Sequence, residues 1–179
     1  MRSKLSSRVL SVLLALVLVL STLSTMAFAA GEKSDDVVIL YTNDVHCGVD
    51  AGTPEDSMGY ANLAAYKHAM EEAHEHVVLV DAGDAIQGEA IGTLSNGSYL
   101  VDIMNQVGYD YATFGNHEFD YGYQNLKDLE ADADFTIVDA NVLYNGQVAF
   151  EDNVVFTAPD GTKIGVFGLD TPETATKAH

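Results

Sequence analysis

Short apolar runs alternate along this chain with segments of helical period. Val37-Val38-Ile39-Leu40-Tyr41 is continuously apolar, the pattern of a strand buried on both faces. Val77 to Val80, Tyr111 to Phe114 and Phe135 to Val138 repeat that pattern. Leu63, Tyr66, Met70 and Ala73 recur at helical spacing, with Lys67, Glu71 and Glu72 off the stripe, which predicts an amphipathic helix over 60–75. Leu100, Val101, Ile103, Met104 and Val107 predict a helix after Asn96-Gly97-Ser98, stopping at Gly108. Leu126 and Leu129 place another near 122–131. Val154–Thr157 and Ile164–Leu169 flank Pro159-Asp160-Gly161, a strong turn signal, and so pair as a hairpin. The order β-α-β-α-β-α-β followed by β-β argues for an α/β domain with a mostly parallel sheet.

The first thirty residues follow a different pattern. Arg2, Lys4 and Arg8 precede the apolar stretch Val9 to Leu20, and Ala27-Phe28-Ala29 is an A-x-A site. This is the tripartite form of a secretory signal peptide. The apolar stretch is shorter than the roughly 20 residues that span a bilayer. Residues 1–29 are therefore expected to be cleaved, residues 30–36 to be a linker, and the product to be secreted (extracellular, cell-surface or periplasmic) without stable membrane insertion.

Cleavage would leave 5 Lys and Arg against 27 Asp and Glu, a net charge of −22. Such a surface repels nucleic acid and anionic lipid at long range, which argues against a nucleic-acid partner. An anionic small molecule is still admissible where metal ions dominate the local field. Cys47 is the single cysteine, so no intrachain disulfide forms. It adjoins His46, but without CxxC spacing it reads as a bystander thiol.

The apolar runs end in ligand-type residues. Asn43-Asp44-Val45-His46 follows the first, Asp81-Ala82-Gly83-Asp84 the second, and Gly115-Asn116-His117-Glu118-Phe119-Asp120 the third. In an open parallel sheet, ligands bind outside the carboxyl ends of the strands, so these stretches can converge on one site. On extended backbone Asp44 and His46 point the same way and can grip one cation. Asp84 has two oxygens, enough to bridge two cations, and Asn116 offers a neutral carbonyl ligand. This donor set suits Zn, Mn or Fe better than Ca or Mg. Two such ions can clamp the attacking and leaving oxygens of a phosphoryl transfer. His117 can protonate a leaving oxygen, and Asp120 can orient that imidazole. Gly83, Gly88 and Gly115 let backbone pass close to a ligand.

Each residue has an ordinary alternative. Asp44 and Asp84 can cap turns, and Asp120 can be the N-cap of the following helix. A lone His46 or His117 is more often a surface or core histidine than a ligand. Glu118 reads as structural, and His68, His74 and His76 as solvent-facing. The weight lies in the coincidence: all three strand ends carry ligand types.

These stretches resemble the calcineurin-like metallophosphoesterases. Asn43-Asp44-Val45-His46 resembles their D-x-H motif, Gly83 to Gly88 their second motif and Gly115-Asn116-His117-Glu118 their third. Phe119-Asp120, Met58 to Ala64 and Gly168 to Thr174 resemble the secreted 5′-nucleotidase branch. The resemblance covers 37–179 and implies a four-layer α/β/β/α sandwich with two divalent metal ions. It implies Asp44 and His46 on the first metal, Asp84 bridging, Asn116 on the second, and His117 with Asp120 as the catalytic pair. It implies hydrolysis of nucleoside 5′-monophosphates; nucleotide sugars such as UDP-sugars and 2′,3′-cyclic nucleotides are the alternatives within the family. The family's later G-H and G-H-x-H motifs, and its C-terminal nucleotide-binding domain, do not occur up to His179. The chain is therefore expected to be the N-terminal portion of the catalytic domain. A non-catalytic secreted binding module that keeps the fold is the alternative of another class.

Overall fold

A computed structural model describes residues 33–52 and 57–177. β1 (Ser34–Thr42), β2 (His74–Asp81), β3 (Tyr111–Ala112) and β4 (Thr136–Ile137) form one parallel sheet in that order. α1 (Tyr60–Ala73) connects β1 to β2, and α2 (Ala90–Ser95) with α3 (Ser98–Val107) connects β2 to β3. A 3₁₀ turn (Asn116–Tyr121) and α4 (Tyr123–Asp132) lead to β4. Two hairpins follow, β5 (Leu143–Tyr144) with β6 (Gln147–Val148), and β7 (Val154–Thr157) with β8 (Lys163–Val166). α5 (Thr174–Lys177) is the last element. The parallel α/β architecture and the hairpin around Asp160-Gly161 are as the apolar pattern indicated.

Local chemistry explains the boundaries. α3 runs between Gly97 (φ 87°) and Gly108 (φ 84°), both in the left-handed region that ends helices without a Cβ penalty. The hairpin turn is closed by Asp160, whose carboxylate accepts from the Thr162 amide at 2.8 Å and the Thr162 hydroxyl at 2.9 Å. Asn145-Gly146, both at positive φ, turns β5 into β6; this hairpin and α2 were not anticipated.

The core lies between the sheet and its helices. Leu79 of β2, Leu100 of α3 and Leu126 of α4 are fully buried and belong to one apolar cluster with Met104, Ala112 and Leu129. On the opposite face of the sheet, Phe156 of β7 packs 5.5 Å from the His76 ring and 6.1 Å from Tyr111. β2 is thus covered on both sides, and the adjacent residues Val78 and Leu79 are both buried.

β1 departs from its expected double burial. Ile39 and Tyr41 are in register with Val78 and Val80, but are 55% and 74% exposed. β1 is an edge strand of the sheet, and no ring contact joins either residue to the hairpin that carries Phe156. β1 also starts at Ser34, so residues 34–36 are strand, not linker; Ser34 pairs with His74 across an irregularity before Val37. Residues 1–32, including the proposed leader, lie outside the described residues.

Two further expectations are corrected. The buried stripe of α1 holds Tyr60 and Leu63 and the largely covered side chain of Lys67, while Tyr66 is 47% exposed. The helix ends at Ala73, so His74 and His76 belong to β2 and are half-buried rather than solvent-facing; His68 is exposed.

Because Leu100 has no exposed surface, Leu100→Ala should leave a cavity and cost about 2–5 kcal/mol of stability. Denaturant unfolding should show a lower midpoint at unchanged slope.

Candidate metal-centred active site

The three ligand-bearing loops lie at the carboxyl ends of β1, β2 and β3. Beyond the strands, the first two remain paired through main chain. The amides of Asp44, His46 and Cys47 donate to the carbonyls of Gly83, Asp84 and Ala85 at 3.0, 2.9 and 3.0 Å. Asp44 (φ 51°), His46 (φ 45°), Cys47 (φ 62°) and Asp84 (φ 56°) all sit in the left-handed region, which non-glycine residues seldom occupy. Asp44 and His46 therefore meet for a different reason than strand alternation: left-handed backbone at both residues accompanies the approach of their ligand atoms.

Ligand atoms of Asp44, His46 and Asp84 lie within 4.8 Å of one another, the one such cluster of His, Cys, Asp or Glu among the described residues. His46 Nε2 is 3.9 Å from Asp44 Oδ1. Its Nδ1 is 3.0 Å from the Gln87 carbonyl, which fixes a proton on Nδ1 and leaves Nε2 with its lone pair free. Asn43 donates its carboxamide N–H to Asp44. Two carboxylates with one neutral imidazole nitrogen fit a divalent transition ion by donor type. Asn116 is half-buried at the first residue of the 3₁₀ turn, next to the His117 amide that donates to Asp84 Oδ1 at 2.9 Å.

His117 faces the same space. Its ring lies 5.3 Å from that of His46, edge to face, and its Nδ1 is 2.9 Å from Asp120 Oδ2. The bond to Asp120 raises the imidazole pKa, against the opposing effect of partial burial. Asn116 and His117 are helical, not extended, so consecutive side chains diverge by roughly a third of a turn. Asp120 is not the N-cap of α4; Gly122 holds that position.

Glu118 is buried under these loops. Its Oε1 accepts from the amides of Ala85 at 2.7 Å and Ile86 at 3.2 Å. Its Oε2 accepts from Asp84 at 2.8 Å and Gly115 at 2.7 Å. Desolvation pushes its carboxyl up to about 7, opposed by the amide donors. Glycines permit the contact: a Cβ on Gly83 would meet Gly115 N at 2.4 Å, and one on Gly115 would meet Asp84 Oδ1 at 2.4 Å. A Cβ on Gly88 would meet the His46 carbonyl at 2.3 Å. Their small size thus serves approach of loop to loop, where approach to a ligand was expected.

Asp81, at the end of β2, is buried, and desolvation raises it to about 6. It accepts from Gly83 N at 2.9 Å and from the Thr42 hydroxyl at 2.5 Å; that hydroxyl also meets Tyr109 at 2.8 Å. Asp170 is buried too, clamped through main chain by Asn141 at 2.7 and 2.8 Å, and raised by burial with a smaller effect from the charge of Asp84. The Thr42–Tyr109 link carried no sequence signal, because 67 residues separate the partners. Cys47 is buried, with its thiol pushed up to about 11 by desolvation; a Cβ on Gly92 would meet its sulfur at 2.3 Å. It packs in the core and is not among the clustered ligands.

Comparison with known proteins places these observations in a family. The model of the calcineurin-like phosphoesterases matches residues 37–176. A 5′-nucleotidase of Bos taurus is 35% identical over 156 residues, which is 78% of this chain and 27% of that protein. A 5′-nucleotidase precursor of Thermus thermophilus superposes with a TM-score of 0.68 at 27% identity, over 80% of this chain and 30% of the other. The NAD nucleotidase of Haemophilus influenzae does so with a TM-score of 0.67 at 29% identity, over 79% and 28%. The chain thus spans under a third of the length of these relatives. The match over its length and the clustered Asp/His/Asp group agree: this chain belongs to the calcineurin-like phosphoesterase family, hydrolases that use divalent metals.

Proposed function

We propose that residues 37–179 are the N-terminal part of the catalytic domain of a secreted, dinuclear-metal phosphoric-ester hydrolase that acts on nucleoside 5′-monophosphates. The observation that carries this reading is the convergence of Asp44, His46 and Asp84 within 4.8 Å, with the His117–Asp120 pair beside them. The 5′-nucleotidase relatives support the substrate class, and the leader pattern of residues 1–29 supports secretion.

In this reading Asp44 and His46 would hold one divalent ion, Asn116 would hold a second, and Asp84 would serve both, with further ligands from the longer protein. When bound, such ions polarise phosphoryl oxygens and lower the pKa of water. The chain's own residues do the rest. Gln87 keeps His46 in one tautomer through Nδ1. Asp120 anchors His117 at Nδ1, so Nε2 is the atom that holds a proton for the leaving ribose oxygen. The carboxylate beside it favours the protonated ring that this role needs.

The decisive assay is hydrolysis by the full-length, metal-loaded protein, with products separated by chromatography: phosphate and adenosine from AMP, UMP and glucose 1-phosphate from UDP-glucose, and an adenosine monophosphate from 2′,3′-cyclic AMP. Turnover of AMP above the others is expected. Preference for either competitor reassigns the substrate, and binding of all three without turnover supports the non-catalytic binding module.

Replacement of His117 by Asn should leave bound metal near normal and cut AMP turnover by about two to four orders of magnitude. The deficit should be smaller for p-nitrophenyl phosphate, whose leaving group needs less protonation. Asp120→Asn should show the same pattern more mildly. Loss of metal in proportion to activity would make His117 a ligand instead.

Elemental analysis tests the bridge. Asp84→Asn should empty both metal sites together, whereas His46→Ala should mainly empty one; equal losses in both variants count against bridging by Asp84.

A further inference from the structure

We infer that Glu118 is a positioning residue for the metal centre: its carboxylate sets the spacing between the loop after β2 and the loop after β3. This rests on the metal-centred reading above. Glu118 touches none of the clustered side-chain ligand atoms through a hydrogen bond of its own; every bond it makes is to main chain.

The two oxygens have separate tasks. Oε1 holds Ala85 and Ile86, on the β2 side alone. Oε2 takes one amide from each loop, Asp84 and Gly115, at 2.8 and 2.7 Å. That oxygen is the bridge. Asp84 is thereby held by its own amide, while its Oδ1 accepts from His117 N at 2.9 Å on the opposite loop. The second bond depends on the spacing set by the first. The loops cannot slide closer, because Gly83 and Gly115 already leave no room for a Cβ between them. They cannot separate without stranding amides that a buried carboxylate satisfies. A glutamine has the same shape but only one acceptor oxygen. Its NH₂ must face either the Ala85/Ile86 pair or the Asp84/Gly115 pair, donor against donor. An aspartate keeps both acceptors but is one methylene shorter, so it cannot reach both loops at once.

The test uses the full-length protein, with Mn²⁺ binding followed by electron paramagnetic resonance and thermal unfolding measured in parallel. Glu118→Gln and Glu118→Asp are compared with Leu100→Ala, which destabilises the core without removing any of the hydrogen bonds Glu118 makes to the loops. Both Glu118 variants should bind Mn²⁺ roughly 10- to 100-fold more weakly. Leu100→Ala, chosen for comparable loss of melting temperature, should bind it as wild type does. Should Glu118→Gln fail to fold, the aspartate variant carries the comparison. If the folded Glu118 variants keep wild-type Mn²⁺ affinity, or lose it only as far as Leu100→Ala does, Glu118 is an ordinary structural residue and the inference is overturned. Wild-type protein that binds no Mn²⁺, Zn²⁺ or Fe²⁺ overturns instead the metal-centred reading beneath it.

Discussion

The candidate site depends on one buried carboxylate satisfied by main-chain amides. Glu118 accepts four N–H bonds from two loops separated by more than thirty residues in sequence. Those amides lie past the ends of their strands, where no ladder partner remains for them. Left unpaired in the interior they would each cost about 1–3 kcal/mol. Meeting them with a carboxylate removes that penalty and joins the loops that carry Asp84, Asn116 and His117. The same principle recurs at Asp81, which accepts from Gly83 and Thr42, and at the Asn141–Asp170 clamp.

The result is a concentration of negative charge at one end of the sheet. Asp44, Asp81, Asp84, Glu118, Asp120 and Asp170 all belong to it, and among these burial raises the carboxyls of Asp81, Glu118 and Asp170. The ring of His117, whose pKa is raised by its bond to Asp120, lies in this field 5.3 Å from that of His46. Such a field favours divalent cations, and with them anionic phosphoesters that the acidic chain would otherwise repel. In the proposed reading, divalent ions held here would reconcile the acidic chain with an anionic substrate.

The backbone at the site is strained in a patterned way. Asp44, His46, Cys47 and Asp84 occupy the left-handed region together, and glycines at 83 and 88 continue it. Main-chain bonds from one loop to the other hold these conformations in place. The relatives share this stretch at 35% and 27% identity and extend far beyond it.

The alternation of apolar runs and helical stripes was enough for the parallel α/β order, because burial against helices leaves its period in the sequence. The strand-end motifs singled out Asp44, His46 and Asp84, whose ligand atoms the fold gathers within 4.8 Å, and His117 with Asp120, whose side chains it joins at 2.9 Å. Tertiary structure decided what pattern could not express. Ile39 and Tyr41 read as core but lie exposed, because burial of a strand depends on its place in the sheet, and β1 is an edge. Asp44 and His46 converge through left-handed φ angles that apolar periodicity does not encode. Glu118 looked merely structural, because its partners are amides, and an amide carries no residue identity. Which loops those amides belong to is settled only when β2 and β3 lie side by side.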